Sequence, residues 1–135
     1  MLKMGSFVEK IAQVKIKDNG EEFAHFYEIS KFPVDFNLEV SVTFLNLIPK
    51  KNYQLRINIT KDTEPLMIQL SDKQAFSVPE NDMILVHDGL GQTFITTGFL
   101  FSVPQEGAYE IAFKLEDKEG NELSSFANYY YFGGA

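Results

Sequence analysis

Between Phe32 and Phe44 every even position is apolar: Phe32, Val34, Phe36, Leu38, Val40, Val42 and Phe44. Asp35, Asn37, Glu39, Ser41 and Thr43 take most of the odd positions. Successive side chains of a strand point to opposite faces, so the pattern dictates a long strand with one face in a core and one in water. A helix would bring residues three and four apart onto one side and mix the two classes. Pro33, at the start of the run, suits a strand beginning or an edge.

The same period recurs along the chain. Tyr53, Leu55, Ile57 and Ile59 alternate with Gln54, Arg56, Asn58 and Thr60, and the short link Pro49–Asn52 predicts an antiparallel hairpin with the first run. Leu66, Ile68 and Leu70 continue the rhythm after Lys61–Pro65. Ile95, Thr97, Phe99, Phe101 and Val103 share a face, as do Tyr109, Ile111, Phe113 and Leu115. The turn Asp117–Asn121 leads into a last strand from Leu123 to Phe132. Near the N-terminus two strands are expected around Phe7–Lys17 and Glu21–Ile29, joined at Asn19-Gly20. Ser71 to Gly91 reads mainly as loop around a short apolar piece, Met83–Val86. No repeat, linker or amphipathic helix interrupts the series. Residues 1–135 therefore read as a single all-β domain, an antiparallel sandwich of about seven to nine strands, with a closed barrel as the structural alternative.

Composition says what can fill the core. The 135 residues include 13 Phe and 6 Tyr but no Trp and no Cys. Each buried Phe contributes on the order of 1.5–3 kcal/mol, so a phenylalanine core can hold the domain without disulfides. Absence of Cys excludes a disulfide framework, a thiolate metal site and a Cys nucleophile. A net charge of −7 argues against binding nucleic acid or an anionic membrane. The first ten residues lack the apolar run of a secretory leader, and no run of about 18 apolar residues could span a bilayer. A cytoplasmic location is expected.

Gly107-Ala108-Tyr109, preceded by Pro104-Gln105-Glu106, resembles the entry to the penultimate strand of immunoglobulin-like domains, where a Gly-x-Tyr element turns a corner. That likeness implies a Tyr109 hydroxyl bonded to nearby backbone. More broadly, several features from Phe7 to Phe132 resemble an uncharacterised family of small cytoplasmic bacterial β-sandwich proteins. They are the Asn-Gly turn, Phe32-Pro33 before a long alternating strand, the Lys-Asn turn and the late Gly-x-Tyr strand. The resemblance implies an immunoglobulin-like sandwich and carries no activity. The Cys pair and Trp of antibody domains are absent here.

Candidate chemistry is sparse. In His87-Asp88-Gly89-Leu90-Gly91 an Asp could orient a His as a base, and the glycines could admit a ligand; the plainer reading is an exposed loop in which Gly89 and Gly91 supply positive φ. Asp82, His87 and Asp88 are the ligand-binding candidates. His25 and His87 are the only histidines and lack zinc-ligand spacing, and no Gly-x-Ser-x-Gly elbow is present. Calcium would need oxygens from the acidic loops Asp62/Glu64, Glu80/Asp82, Asp88 and Glu116/Asp117/Glu119 to converge, and their spacing is not diagnostic. No metal, cofactor or catalytic residue is assigned.

The last strand departs from the alternation. Asn128-Tyr129-Tyr130-Tyr131-Phe132 presents aromatics to both faces, so either both are covered or one row stands exposed as an interaction surface, with Tyr129 and Tyr131 on it. The expected function is a non-enzymatic binding or structural module, self-associating or contacting a protein partner through that strand. The alternative is a small-molecule or carbohydrate binder, with or without calcium, using the end loops.

Overall fold

A computed structural model of the chain describes residues 8–61 and 69–134. The alternating runs become strands: β1 (Lys10–Asp18), β2 (Glu21–Glu22), β3 (Phe26–Glu28), β4 (Val34–Leu47), β5 (Tyr53–Lys61), β6 (Gln69–Phe76), β7 (Leu85–His87), β8 (Leu90–Val103), β9 (Gly107–Asp117) and β10 (Glu122–Gly133). One 3-10 turn spans Glu80–Asp82. The strands form two five-stranded sheets in the orders β2-β1-β4-β8-β7 and β3-β10-β9-β5-β6. Among the described residues all pairings are antiparallel except β3 with β10. This is the immunoglobulin-like sandwich expected from the sequence, with ten strands among the described residues where about seven to nine were expected.

The sheets close on one aromatic and aliphatic core. Leu38, Val40, Val42, Phe44 and Leu47 of β4 face Tyr53, Leu55, Ile57 and Ile59 of β5, and all are buried. β4 and β5 are thus not the hairpin that their short link suggested. They lie in opposite sheets, and the chain crosses the core between Leu47 and Tyr53, with Asn46 and Lys50 at positive φ. Alternation alone cannot separate a hairpin from such an arch, because both leave one apolar face per strand.

The N-terminal strand pair is likewise divided. Asn19 and Gly20 make the expected turn at φ 53° and 83°, but the chain leaves the first sheet after Glu22 and joins the second at Phe26. Phe23 sits in this crossing, its ring 5.0 Å from Tyr27, 5.1 Å from Phe36 and 5.0 Å from Tyr130. Burial of that ring between the layers breaks what reads as one strand into two. β6 appears where mainly loop was expected. It is an edge strand, mostly polar, held by its backbone ladder to β5. Leu66, Ile68, Asp62 and Glu64 lie outside the described residues.

Local chemistry fixes the corners. The Tyr109 hydroxyl donates to the Gln105 carbonyl at 2.6 Å, the corner that its Gly-x-Tyr context implied. Asp117 closes the β9–β10 turn, its carboxylate accepting from the backbone of Asn121 and Glu119 and from the Asn121 amide. These bonds, led by the one from the Asn121 backbone, hold its carboxyl below the ordinary range. A bulge between Glu122 and Ser124 shifts the β10 register. That shift lets Leu123 and Phe126, three residues apart, both pack against the core.

Burial also makes the fold sensitive to alkali. The Tyr130 phenol is pushed up to about 12 by desolvation, partly offset by a bond to Asn128, and Tyr53 is raised too. Below pH 10 these phenols are protonated whether the chain is folded or not, and their contribution is fully present. Above it the unfolded chain ionises first, so stability falls as pH rises from 10 towards about 12. Urea midpoints should hold between pH 8 and about 9.5 and drop by pH 11. A Tyr130→Phe variant should show a shallower drop; an identical one would contradict the assignment.

Candidate functional site

Alternation sends the even residues of β10 inward and the odd ones out. Tyr130 and Phe132 are buried, whereas Tyr129 is 62% and Tyr131 44% exposed. The parallel pairing of β3 sets Phe26, 76% exposed, beside Tyr131. Three aromatic side chains thus stand together at one end of the outer face of the β3-β10-β9-β5-β6 sheet. His25 anchors this end: its Nδ1 lies 2.8 Å from the Tyr129 carbonyl, its own carbonyl accepts from the Tyr131 backbone, and its ring stacks on Tyr130.

Both exposed tyrosines are held in place. The Tyr129 hydroxyl donates to Glu110 at 3.1 Å, across the β9–β10 pair, and that bond raises its phenol pKa. The Tyr131 hydroxyl donates to Glu106 at 3.2 Å. It also lies so close over Gly133 that a β-carbon there would come within 2.6 Å of it. Glycine lets the ring lie against the sheet rather than project from it.

The rest of this face follows from the register. Next to the Tyr129–Glu110–Thr60 row comes a row of small side chains, Ala127–Ala112–Asn58, and then a basic row, Ser125–Lys114–Arg56. Asn58, Thr60, Glu110, Ala112, Lys114, Ser125 and Ala127 line a shallow depression of about 450 Å³. Arg56 binds the buried Glu116 through two nitrogens, at 3.0 and 3.3 Å, and Lys114 lies 3.8 Å from Glu122. Rings, carboxylates, small residues and cations therefore succeed one another along the strands.

The loop candidates are scattered. Asp82 ends the 3-10 turn, while His87 ends β7 and Asp88 begins the β7–β8 turn, with Nε2 and Oδ2 3.3 Å apart. Their side chains are 89% and 85% exposed, so nothing there excludes water from a reacting group. Asp88 and Gly89 carry positive φ, whereas Gly91 is buried against Met83, leaving no room for a β-carbon. Among the described residues no three His, Asp or Glu side chains converge as a metal ion would require. No described helix is long and apolar enough to cross a membrane. Among the described residues the other exposed apolar side chains lie elsewhere: Phe94 and Leu100 on the outer face of the first sheet flank Thr96 and Gly98, Ile84, Leu85 and Val86 run along the β7 arm, and Ile48 sits in the β4–β5 arch.

Tyr129 and Tyr131 were singled out by sequence, but Phe26, Glu106, Glu110 and the Ala127–Ala112 row were not. Phe26 reaches the face only because β3 joins β10, a pairing between remote segments that leaves no trace in local periodicity.

The two sheets and their strand order define an immunoglobulin-like β-sandwich, a fold shared with several solved structures. A bacterial adhesin from Mobiluncus mulieris, containing intramolecular disulfide, isopeptide and ester cross-links, superposes with a TM-score of 0.59 at 7% identity, over 93% of this chain and 57% of that one. A protein assigned as a β-galactosidase from Bacteroides fragilis gives 0.59 at 14% identity, over 90% of this chain and 17% of the other. A β-glucuronidase from glycoside hydrolase family 2 gives 0.54 at 9% identity, over 92% and 12%. At these identities the likeness is one of fold, and the chain spans a fraction of each neighbour. No family model matches the sequence, and no curated protein matches it significantly.

Proposed function

We propose that this chain is a non-enzymatic binding module that self-associates through the outer face of the β3-β10-β9-β5-β6 sheet. The observation that carries it is the contiguous exposure of Phe26, Tyr129 and Tyr131, with both tyrosine hydroxyls fixed by carboxylates. Exposed rings gathered in one patch mark interaction surfaces, and tyrosine brings large area at low entropic cost while keeping a polar tip. Rings held by Glu106 and Glu110 have already lost part of the rotamer freedom that association would otherwise remove.

Sedimentation velocity across a wide concentration range tests the reading. The protein should approach twice its 15.4 kDa chain mass, and the Tyr129→Ser/Tyr131→Ser double variant should stay monomeric with an unchanged circular dichroism spectrum. A wild-type protein that is monomeric throughout would overturn it.

The tyrosine–carboxylate pairs also favour a second reading, saccharide binding on the same face. Ring faces stack on the apolar side of a sugar and carboxylates accept its hydroxyls. Two of the structural neighbours, assigned as a β-galactosidase and a β-glucuronidase, lend this reading some support. Calorimetric titration with neutral oligosaccharides separates the two: heat of binding abolished by Tyr129→Ser would favour the sugar, and a flat response would dismiss it.

A further inference from the structure

The order of rows on this face is self-complementary when position along the strands is inverted between two copies. We propose that two copies stack this sheet face to face about a two-fold axis running across the strands, along the Ala127–Ala112–Asn58 row. The proposal rests on the self-association reading and specifies its geometry.

Charge is the first argument. One row to one side of the small residues lies Glu110, and one row to the other side lies Lys114, with Arg56 beside it on β5. An axis across the strands inverts position along each strand while keeping the strand itself. Glu110 of each copy then faces Lys114 of the other, twice per dimer, and Thr60 faces Arg56. An axis along β9 would instead set Glu110 against Glu110 and Lys114 against Lys114. Like charges apposed in that way repel, so the face favours the first arrangement over an axis along β9.

Shape is the second. Tyr129 projects one row from the axis on β10, and Ser125 lies one row away on the same strand in the opposite direction. Each Tyr129 ring therefore comes to rest over Ser125 of the other copy, at the rim of the depression of about 450 Å³ that Ala112, Ala127 and Ser125 leave open. On the axis itself Ala127, Ala112 and Asn58 meet their own counterparts, and the row continues to Ser71 of β6. Small residues there let the layers approach to the roughly 10 Å of ordinary sheet packing.

Charge reversal and placed cross-links test this. Glu110→Lys or Lys114→Glu alone should raise the dimer dissociation constant roughly 100-fold, about tenfold for each of two like-charge contacts. The double reversal should restore it to within a few fold of wild type, and added salt should weaken the wild-type dimer. The chain has no cysteine, so a cysteine placed by Ala112→Cys should be joined to its counterpart by a short bismaleimide. One placed by Ala108→Cys sits two rows off, about 27 Å from its counterpart, and should not react across the dimer. A monomeric wild type would remove self-association and the axis together. A wild-type dimer with indifferent single reversals, or with equal cross-linking at both cysteines, would overturn the axis and leave self-association standing.

Discussion

Replacing Phe132 with alanine is expected to lower the free energy of unfolding by about 3–5 kcal/mol. Its ring is fully buried and meets Tyr27, Phe36, Phe101 and Tyr109 at centroid distances of 5.5–5.9 Å, with Phe23 at 6.2 Å. These partners come from β3, β4, β8, β9 and the Phe23 crossing. No single element can collapse into the void, and the cavity term adds to the lost transfer energy. Urea unfolding followed by circular dichroism should show a lower midpoint with an unchanged slope. A loss below about 1.5 kcal/mol would mean that this cluster is not the centre of the core.

Tyr53→Phe is expected to cost about 2–3 kcal/mol, a large effect for one oxygen atom. The hydroxyl donates to Glu9 at 2.6 Å and accepts from the Ile48 backbone at 2.8 Å, at the point where the chain arches between the sheets. Glu9 also takes Lys51 at 2.7 Å, and its side chain is nearly enclosed. Removing the phenol leaves the Ile48 amide without this acceptor and the carboxylate one donor short, and bonds to charged groups are the stronger class. Tyr129→Phe provides the contrast. It also loses a tyrosine–carboxylate bond, but an exposed one, and should change stability by less than about 0.5 kcal/mol. Equal losses from the two variants would refute the distinction drawn from burial.

Legibility in the sequence followed burial. β4, β5, β9 and most of β8 were readable because each puts one face in the core, so that period two was written directly into residue choice. β6 was missed beyond Leu70 because the sequence that follows is mostly polar. The β4–β5 arch and the split at Phe23 were misread because pairing partners are set by which layers meet, which local alternation does not encode. The exposed tyrosines were legible for the opposite reason. Aromatics on both sides of a strand break the expected pattern, and Tyr129 and Tyr131 do occupy the open side. Loop motifs fared worse: His87 and Asp88 are adjacent in sequence and in space, yet among the described residues no third His, Asp or Glu joins them as a metal site would require.

The sequence by itself determined that the chain forms strands with apolar inner faces, that phenylalanine and tyrosine fill the space between them, and that the last strand presents aromatics to both of its faces. Those are statements about single residues and their nearest neighbours along the chain, and water decides them. Only the tertiary structure decided which strands pair, that Phe26 joins the tyrosines, and that Glu110 and Lys114 flank a strip of alanines. Each of these depends on the register between segments far apart in sequence, and register is fixed by the packing of the whole core.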